Sequence, residues 1–168
     1  EFSNNIIASK LKSPGELIDS WTSYLPNEVM SLDGKFGPIN SLISMKDEIF
    51  SFQDSAVAYI SISPRVQVQG NDGVSIQLGT GTILNDYKYI TTSSGSKNKW
   101  SVIPTETGIF YLDLLNRSFN LASAEGIKGL SDVEGFHKYF IDELDLNLQK
   151  EDNQLLRKGI SIGWDKIT

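Results

Sequence analysis

Between Ile39 and Leu78 apolar side chains recur at every second position, in short runs separated by turn formers. A period of two places such side chains on one face of an extended strand, whereas a helix needs a spacing of three to four. Ile39 to Met45 is one run, and Glu48 to Phe52 a second after the polar turn at Lys46-Asp47. Ala56 to Ile62 is a third, with Ala58, Ile60 and Ile62 on a common face. Val66 and Val68 then alternate with Gln67 and Gln69, and Val74, Ile76 and Leu78 resume the pattern. Between them, Gly70-Asn71-Asp72-Gly73 supplies residues that tolerate positive φ, so 65–79 is expected to be a hairpin.

The bend Gly79-Thr80-Gly81 leads to further expected strands at 87–92, 100–103, 109–114 and 119–122, with a polar loop over 93–99. Two segments read as helices instead. Ser13-Pro14-Gly15-Glu16 offers a hydroxyl N-cap, Pro at the first helical position and Glu at the third, and Leu17, Ile18, Trp21 and Leu25 follow at helical spacing. A helix is expected over 14–25. A second is expected from Ser131, capped through Glu134, with Val133, Phe136, Phe140 and Leu144 as its buried stripe. Ile160, Ile162 and Trp164 alternate once more.

The expected class is mainly β with two helices (α+β), its antiparallel strands grouped like propeller blades. A blade takes four strands in about 40–45 residues, and a closed ring at least about four blades. Residues 39–79 make about one blade and 87–122 most of another, so the ring is incomplete. The expected division is an N-terminal helical segment over 1–36 and a β-blade region over 37–130. A helical insertion over 131–158 follows, and 159–168 starts a further, truncated strand unit.

Composition narrows the function. With 39% hydrophobic and 21% charged residues, the 168-residue chain reads as globular. No apolar run approaches the ~18 residues of a membrane span, and Glu1-Phe2-Ser3-Asn4-Asn5 lacks the basic and apolar regions of a signal peptide. The first residue is not Met, which points to a piece of a longer protein. Without Cys there is no disulfide and no thiolate metal site. A net charge of −6 argues against specific nucleic-acid binding, which needs clustered Lys and Arg, but suits a wall that DNA slides past.

The motifs that could carry chemistry each lack a partner. Gly159-Ile160-Ser161-Ile162-Gly163 matches a nucleophile elbow, but that motif works on a strand–turn–helix with an Asp and a His following, and no His follows. His137, the only His, falls on the apolar side of the second helix as a hydrogen-bonded side chain. Asp142, Glu143 and Asp145, with Glu151 and Asp152, read as a solvated acidic face. Gly79-Thr80-Gly81-Thr82 lacks the Gly-Lys-Ser/Thr ending of a phosphate loop. Lys97 and Lys99 beside Trp100 are too few for a nucleic-acid groove. Asn116-Arg117-Ser118 is a formal glycosylation sequon. No catalytic, cofactor-binding or metal-binding residue is assigned.

The order of several segments resembles a known family. They are Gly37-Pro38-Ile39-Asn40-Ser41-Leu42, Glu48-Ile49-Phe50-Ser51-Phe52-Gln53-Asp54-Ser55-Ala56-Val57, Ile62-Ser63-Pro64-Arg65-Val66-Gln67 and Leu78-Gly79-Thr80-Gly81. Tyr89-Ile90-Thr91-Thr92 with Gly95, Asn98-Lys99-Trp100-Ser101-Val102 and Tyr111-Leu112-Asp113 complete the set. This order is similar to the tail-tip muzzle proteins of crAss-like phages, which are nozzle-like. The resemblance implies a virion structural protein, assembled in the host cytoplasm and built from propeller-like β domains. Its copies ring a channel that retains the genome and passes DNA and cargo proteins at infection. Copies of itself and neighbouring tail proteins are the implied partners, with no cofactor. Two alternatives stand beside it. One is a host-recognition module whose Tyr87, Tyr89 and Tyr111 line a glycan site; the other is a glycosidase using Asp113 or Asp142.

Overall fold

The computed structural model describes residues 2–10, 17–46, 48–62, 66–69, 75–78, 83–123, 125–133, 135–144, 152–156 and 158–165. The chain is mainly β with two short helices, arranged in antiparallel sheets. Strands β1 (Asn5–Ser9) and β2 (Tyr24–Ser31) pair as an N-terminal hairpin. The first four-stranded sheet is built from β3 (Ile39–Met45), β4 (Glu48–Gln53), β5 (Val57–Ile62) and β8 (Leu84–Thr91), in that spatial order. Between β5 and β8 the chain makes a separate two-stranded hairpin, β6 (Val66–Gln69) and β7 (Ser75–Leu78). The second four-stranded sheet is a simple meander of β9 (Val102–Pro104), β10 (Ile109–Asp113), β11 (Ser118–Ser123) and β12 (Gly126–Gly129). Helices α1 (Leu130–Val133) and α2 (His137–Glu143) follow it. No helix among the described residues is long and apolar enough to cross a membrane.

Strand alternation decides how the layers stack. Phe50 and Phe52 on β4 and Val57 on β5 leave one face of the first sheet and meet Val102, Ile109, Tyr111 and Ala122 of the second. The intervening Ala58 and Ile60, with Leu84, point the opposite way and pack under Ile6 and Leu32 of the N-terminal region. The central strands of the first sheet, β4 and β5, are thus covered on both faces. At roughly 25 cal/mol per Å² of apolar surface removed from water, these two interfaces supply the main driving force of the fold.

Four expectations are corrected. The helix over 14–25 is not formed where the structure describes it: residues 17–19 are irregular, Ser20–Thr22 is one 3-10 turn, and Tyr24 begins β2. Residues 13–16, which carry the expected cap, lie outside the described residues. The reason is burial: Leu17 and Ile18 are among the most exposed side chains, so a helix there has no apolar surface to cover, while β2 gains a partner in β1. Pro26 is tolerated because it falls where the β1–β2 register slips, between the pairs Ile7↔Val29 and Ser9↔Tyr24.

The expected second helix is split in two. Gly135, at φ 76, is in the left-handed region where a helix stops, and Val133 and Phe136 are exposed rather than part of a buried stripe. Ser131 is buried; its hydroxyl accepts from Phe119 N at 3.2 Å. Glu134 lies outside the described residues. Of the expected 65–79 hairpin, β6 and β7 do pair, but apart from the first four-stranded sheet, where β8 takes the fourth place. Finally, 160–165 forms no strand; Ile162 N donates to Trp100 O at 2.9 Å, and Trp164 stacks on Phe110.

Candidate functional site

The chain crosses from the first sheet to the second through residues 92–98, and this crossing sits in a buried polar junction. Its centre is Gln53 at the end of β4, with no exposed surface. The Gln53 amide donates to Asp33 O at 3.1 Å and Gly37 O at 2.8 Å, and its oxygen accepts from the Tyr89 hydroxyl at 2.9 Å. That hydroxyl accepts in turn from Asp33 N at 3.1 Å. Every polar atom of the side chain is matched, which is what makes an amide tolerable there. Burial raises the Tyr89 phenol above its ordinary value.

On the other side, Ser96 N donates to Gln53 O at 2.9 Å. Asn40 donates to Ser96 O at 2.9 Å and to Asp54 Oδ1 at 2.6 Å. Gly95 passes so close that a Cβ there would lie 2.2 Å from Gln53 O and 2.7 Å from Ala56 N. Only glycine fits against that backbone. Gly37, at φ 90, has a similar constraint from Asp54, 2.8 Å from where its Cβ would stand.

The second sheet closes the junction. Asp113, 1% exposed, accepts from Gly95 N at 3.3 Å, Asn116 N at 3.0 Å and Asn116 Nδ2 at 2.7 Å. The Tyr111 hydroxyl lies 2.7 Å from Ser94 Oγ, which also accepts from Asn120 at 3.3 Å. Burial pushes the Tyr111 phenol up to about 12. Beside it, Ser96 and Ser101 hydroxyls meet at 2.8 Å, and both donate to Asn98 O.

These positions settle the roles of several sequence candidates. Tyr87 and Tyr89 pack on the outer face of the first sheet, while Tyr111 is fully buried between the sheets. The three tyrosines therefore share no surface that a sugar could touch. Asp113 is spent on backbone and side-chain donors, and Asp142 is exposed on α2. Ser161 is exposed on a segment without regular secondary structure rather than on a strand–turn–helix. His137, half-exposed, places Nδ1 3.1 Å from Asp132 Oδ1. Glu143 is exposed; Asp152 accepts from Lys99 N at 2.6 Å. Asp145, Glu151 and the 79–82 loop lie outside the described residues. The Lys99 ammonium stands 5.0 Å from the Trp100 ring centre. Asn116 of the sequon is engaged with Ser93 O at 2.7 Å. Among the described residues no group of three or more His, Cys, Asp or Glu could hold a metal ion.

Residues 1–167 match the model of the Crassvirus muzzle protein family. Over 138 residues the chain is 36% identical to the muzzle protein of Bacteroides phage crAss001. The chain belongs to the crassvirus muzzle protein family. The aligned stretch is 82% of this chain but 10% of that relative, so the chain spans about a tenth of the muzzle protein it matches.

Much of the sequence that carries the muzzle resemblance falls on the junction. Gly37, Gln53 to Ala56, Gly95, Asn98 and Asp113 supply its turns, close approaches and hydrogen bonds. Sequence reasoning had those segments but not their role. The available signal was strand phase. In β10, Ile109 and Tyr111 point into the core, and Asp113 continues the same inward series. A polar residue at an inward position implies a hydrogen-bonded cluster around it.

Proposed function

We propose that this chain is a structural portion of a longer muzzle polypeptide at the tail tip of a crAss-like phage. In this reading it has no catalytic role. Copies of the polypeptide form a ring around a channel, with neighbouring tail proteins around them, and the channel retains the genome and passes DNA and cargo proteins during infection. The two four-stranded sheets serve as blade-like units over 39–91 and 102–129, an arc and not a closed propeller. The division of the chain near 36, 130 and 158 is carried into this reading.

The observation that supports it best is the polar junction. It commits Gln53, Ser94, Ser96 and Asp113 to bonds that hold the layers together. The family membership and the net charge of −6 are in keeping with a wall facing DNA. Gold-labelled antibody against this chain, imaged on purified phage, tests the assignment. Label at the free end of the tail is the expected result. Label on fibres or side appendages, or none on the particle, refutes it.

A further inference from the structure

Among the described residues, the second sheet differs from the first in having one face without a sheet against it. Ile109, Tyr111 and Ala122 point into the inter-sheet core, so their strand neighbours point outward. Register puts Ile103, Phe110 and Leu121 in one outward row and Leu112 with Phe119 in the next. An antiparallel sheet with a solvated face alternates apolar with polar residues; strands buried on both faces read as continuous apolar runs. Ile109-Phe110-Tyr111-Leu112 is such a run.

Among the described residues, what covers this face is thin. Phe110 stacks between Phe119, at 5.8 Å, and Trp164, at 5.9 Å, and Phe119 meets Phe140 at 6.5 Å. The side chains above that ladder are open to solvent: Trp164 is 52% exposed, Phe136 57% and Tyr139 61%. Between α2 and the sheet runs a cleft of about 480 Å³ lined by Phe119, Leu130, Ser131, Phe136, Tyr139 and Phe140. Ser131 Oγ is already engaged with Phe119 N, so the cleft is apolar almost throughout.

We propose that this face and its cleft seat a further β-sheet layer of the same polypeptide, with aliphatic and aromatic side chains filling the cleft. The proposal rests on the reading that the chain is one portion of a longer muzzle protein. The occupant follows from continuity. Hairpin β1–β2, the first sheet and the second sheet stack face to face through two apolar interfaces, both within one polypeptide. The outer aromatic face is the next in that series. Nine-tenths of the crAss001 relative lies outside the aligned stretch, which leaves ample chain to supply a layer.

The chain has no Cys, so a single introduced thiol reports on its own surroundings. Phe136→Cys, at the mouth of the cleft, is compared with Asn85→Cys, an exposed control on β8, by the rate of thiol alkylation. Each is placed in the isolated chain and in a Cys-free form of the longer polypeptide; Tyr139→Cys serves as a second reporter in the cleft. The expected result is fast labelling of both sites in the isolated chain, and at least about tenfold slower labelling of the cleft alone in the longer polypeptide as a monomer. Equal cleft labelling in the two forms overturns the proposal. So does protection in the isolated chain that grows with its concentration, or protection in the longer form only on oligomerisation; both make a second copy the occupant. A virion protein no longer than this chain, seen by mass spectrometry, removes the underlying reading and the proposal with it. Protection without tail-tip gold label leaves the docking standing and refutes the channel role.

Discussion

Gln53→Leu isolates the contribution of the polar junction, because leucine fills a similar volume and forms none of the hydrogen bonds. The substitution strands two groups, Gly37 O and the donor of the Tyr89 hydroxyl, and leaves Asp33 O with only the longer bond from Phe36 N at 3.4 Å. Each buried group left unpaired costs about 1–3 kcal/mol, and these are partly buried, so the lower end applies. Leucine's apolar surface returns about 1 kcal/mol. The expected net loss is about 2–3 kcal/mol, or roughly 5–10 °C in Tm for a chain of this size. Tyr89→Phe removes two bonds, the one shared with Gln53 and the one from Asp33 N, and costs about 2 kcal/mol. The double variant loses less than the sum of the two, by about 1 kcal/mol, since either change already breaks the bond between them. Urea unfolding followed by tryptophan fluorescence, extrapolated linearly to water, measures all four forms. A Gln53→Leu protein within about 0.5 kcal/mol of the parent, or strictly additive variants, would refute the junction as a coupled unit.

Gly95→Ala forces the backbone of Gln53 and Ala56 apart and lowers stability by about 3 kcal/mol, read in the same urea assay. Ser51 carries a fully buried hydroxyl without a hydrogen-bond partner, so Ser51→Ala is expected to raise stability by about 1 kcal/mol. Tyr111 gives the fold an alkaline limit. Its phenol ionises at about 12 in the folded protein against an ordinary value of 10.0, so the unfolded chain releases that proton first. The stability linked to it is complete below pH 10 and is lost as pH rises from 10 toward 12, by about 2–3 kcal/mol. Tyr111→Phe flattens this part of the stability–pH curve; an unchanged alkaline slope rules out Tyr111 as its source.

How much of this was legible in the sequence depended on how local the deciding contact is. β3 was readable to its ends, because its alternation and its hairpin turn lie within one stretch of chain. The N-terminal segment was misread because a capping box is a local preference of a few kcal/mol at most, and it loses where the apolar stripe finds nothing to cover. β1 gave too short a signal, Ile6-Ile7-Ala8, to stand without knowledge of its distant partner β2. The order of β8 in the first sheet, with the 65–79 hairpin set aside, depends on pairing Val57 with Thr91 across that hairpin. No pattern within either strand encodes that choice. The junction was hidden for the same reason: Gln53, Asp54 and Asn98 look like turn residues until the 92–98 crossing is laid against them.

That crossing also determines how the stack bears a sideways load. Apolar faces resist being pulled apart, yet they are indifferent to small lateral slip, because one methyl contact replaces another. Directional bonds are not: shifting one layer by a residue misaligns every donor. The bonds through Asp33, Gln53, Ser94, Gly95 and Asp113 act as a pin driven through all three layers at one end. Shear that would otherwise let the sheets creep past one another must break those bonds together, so the stack resists sliding up to a threshold and then yields abruptly.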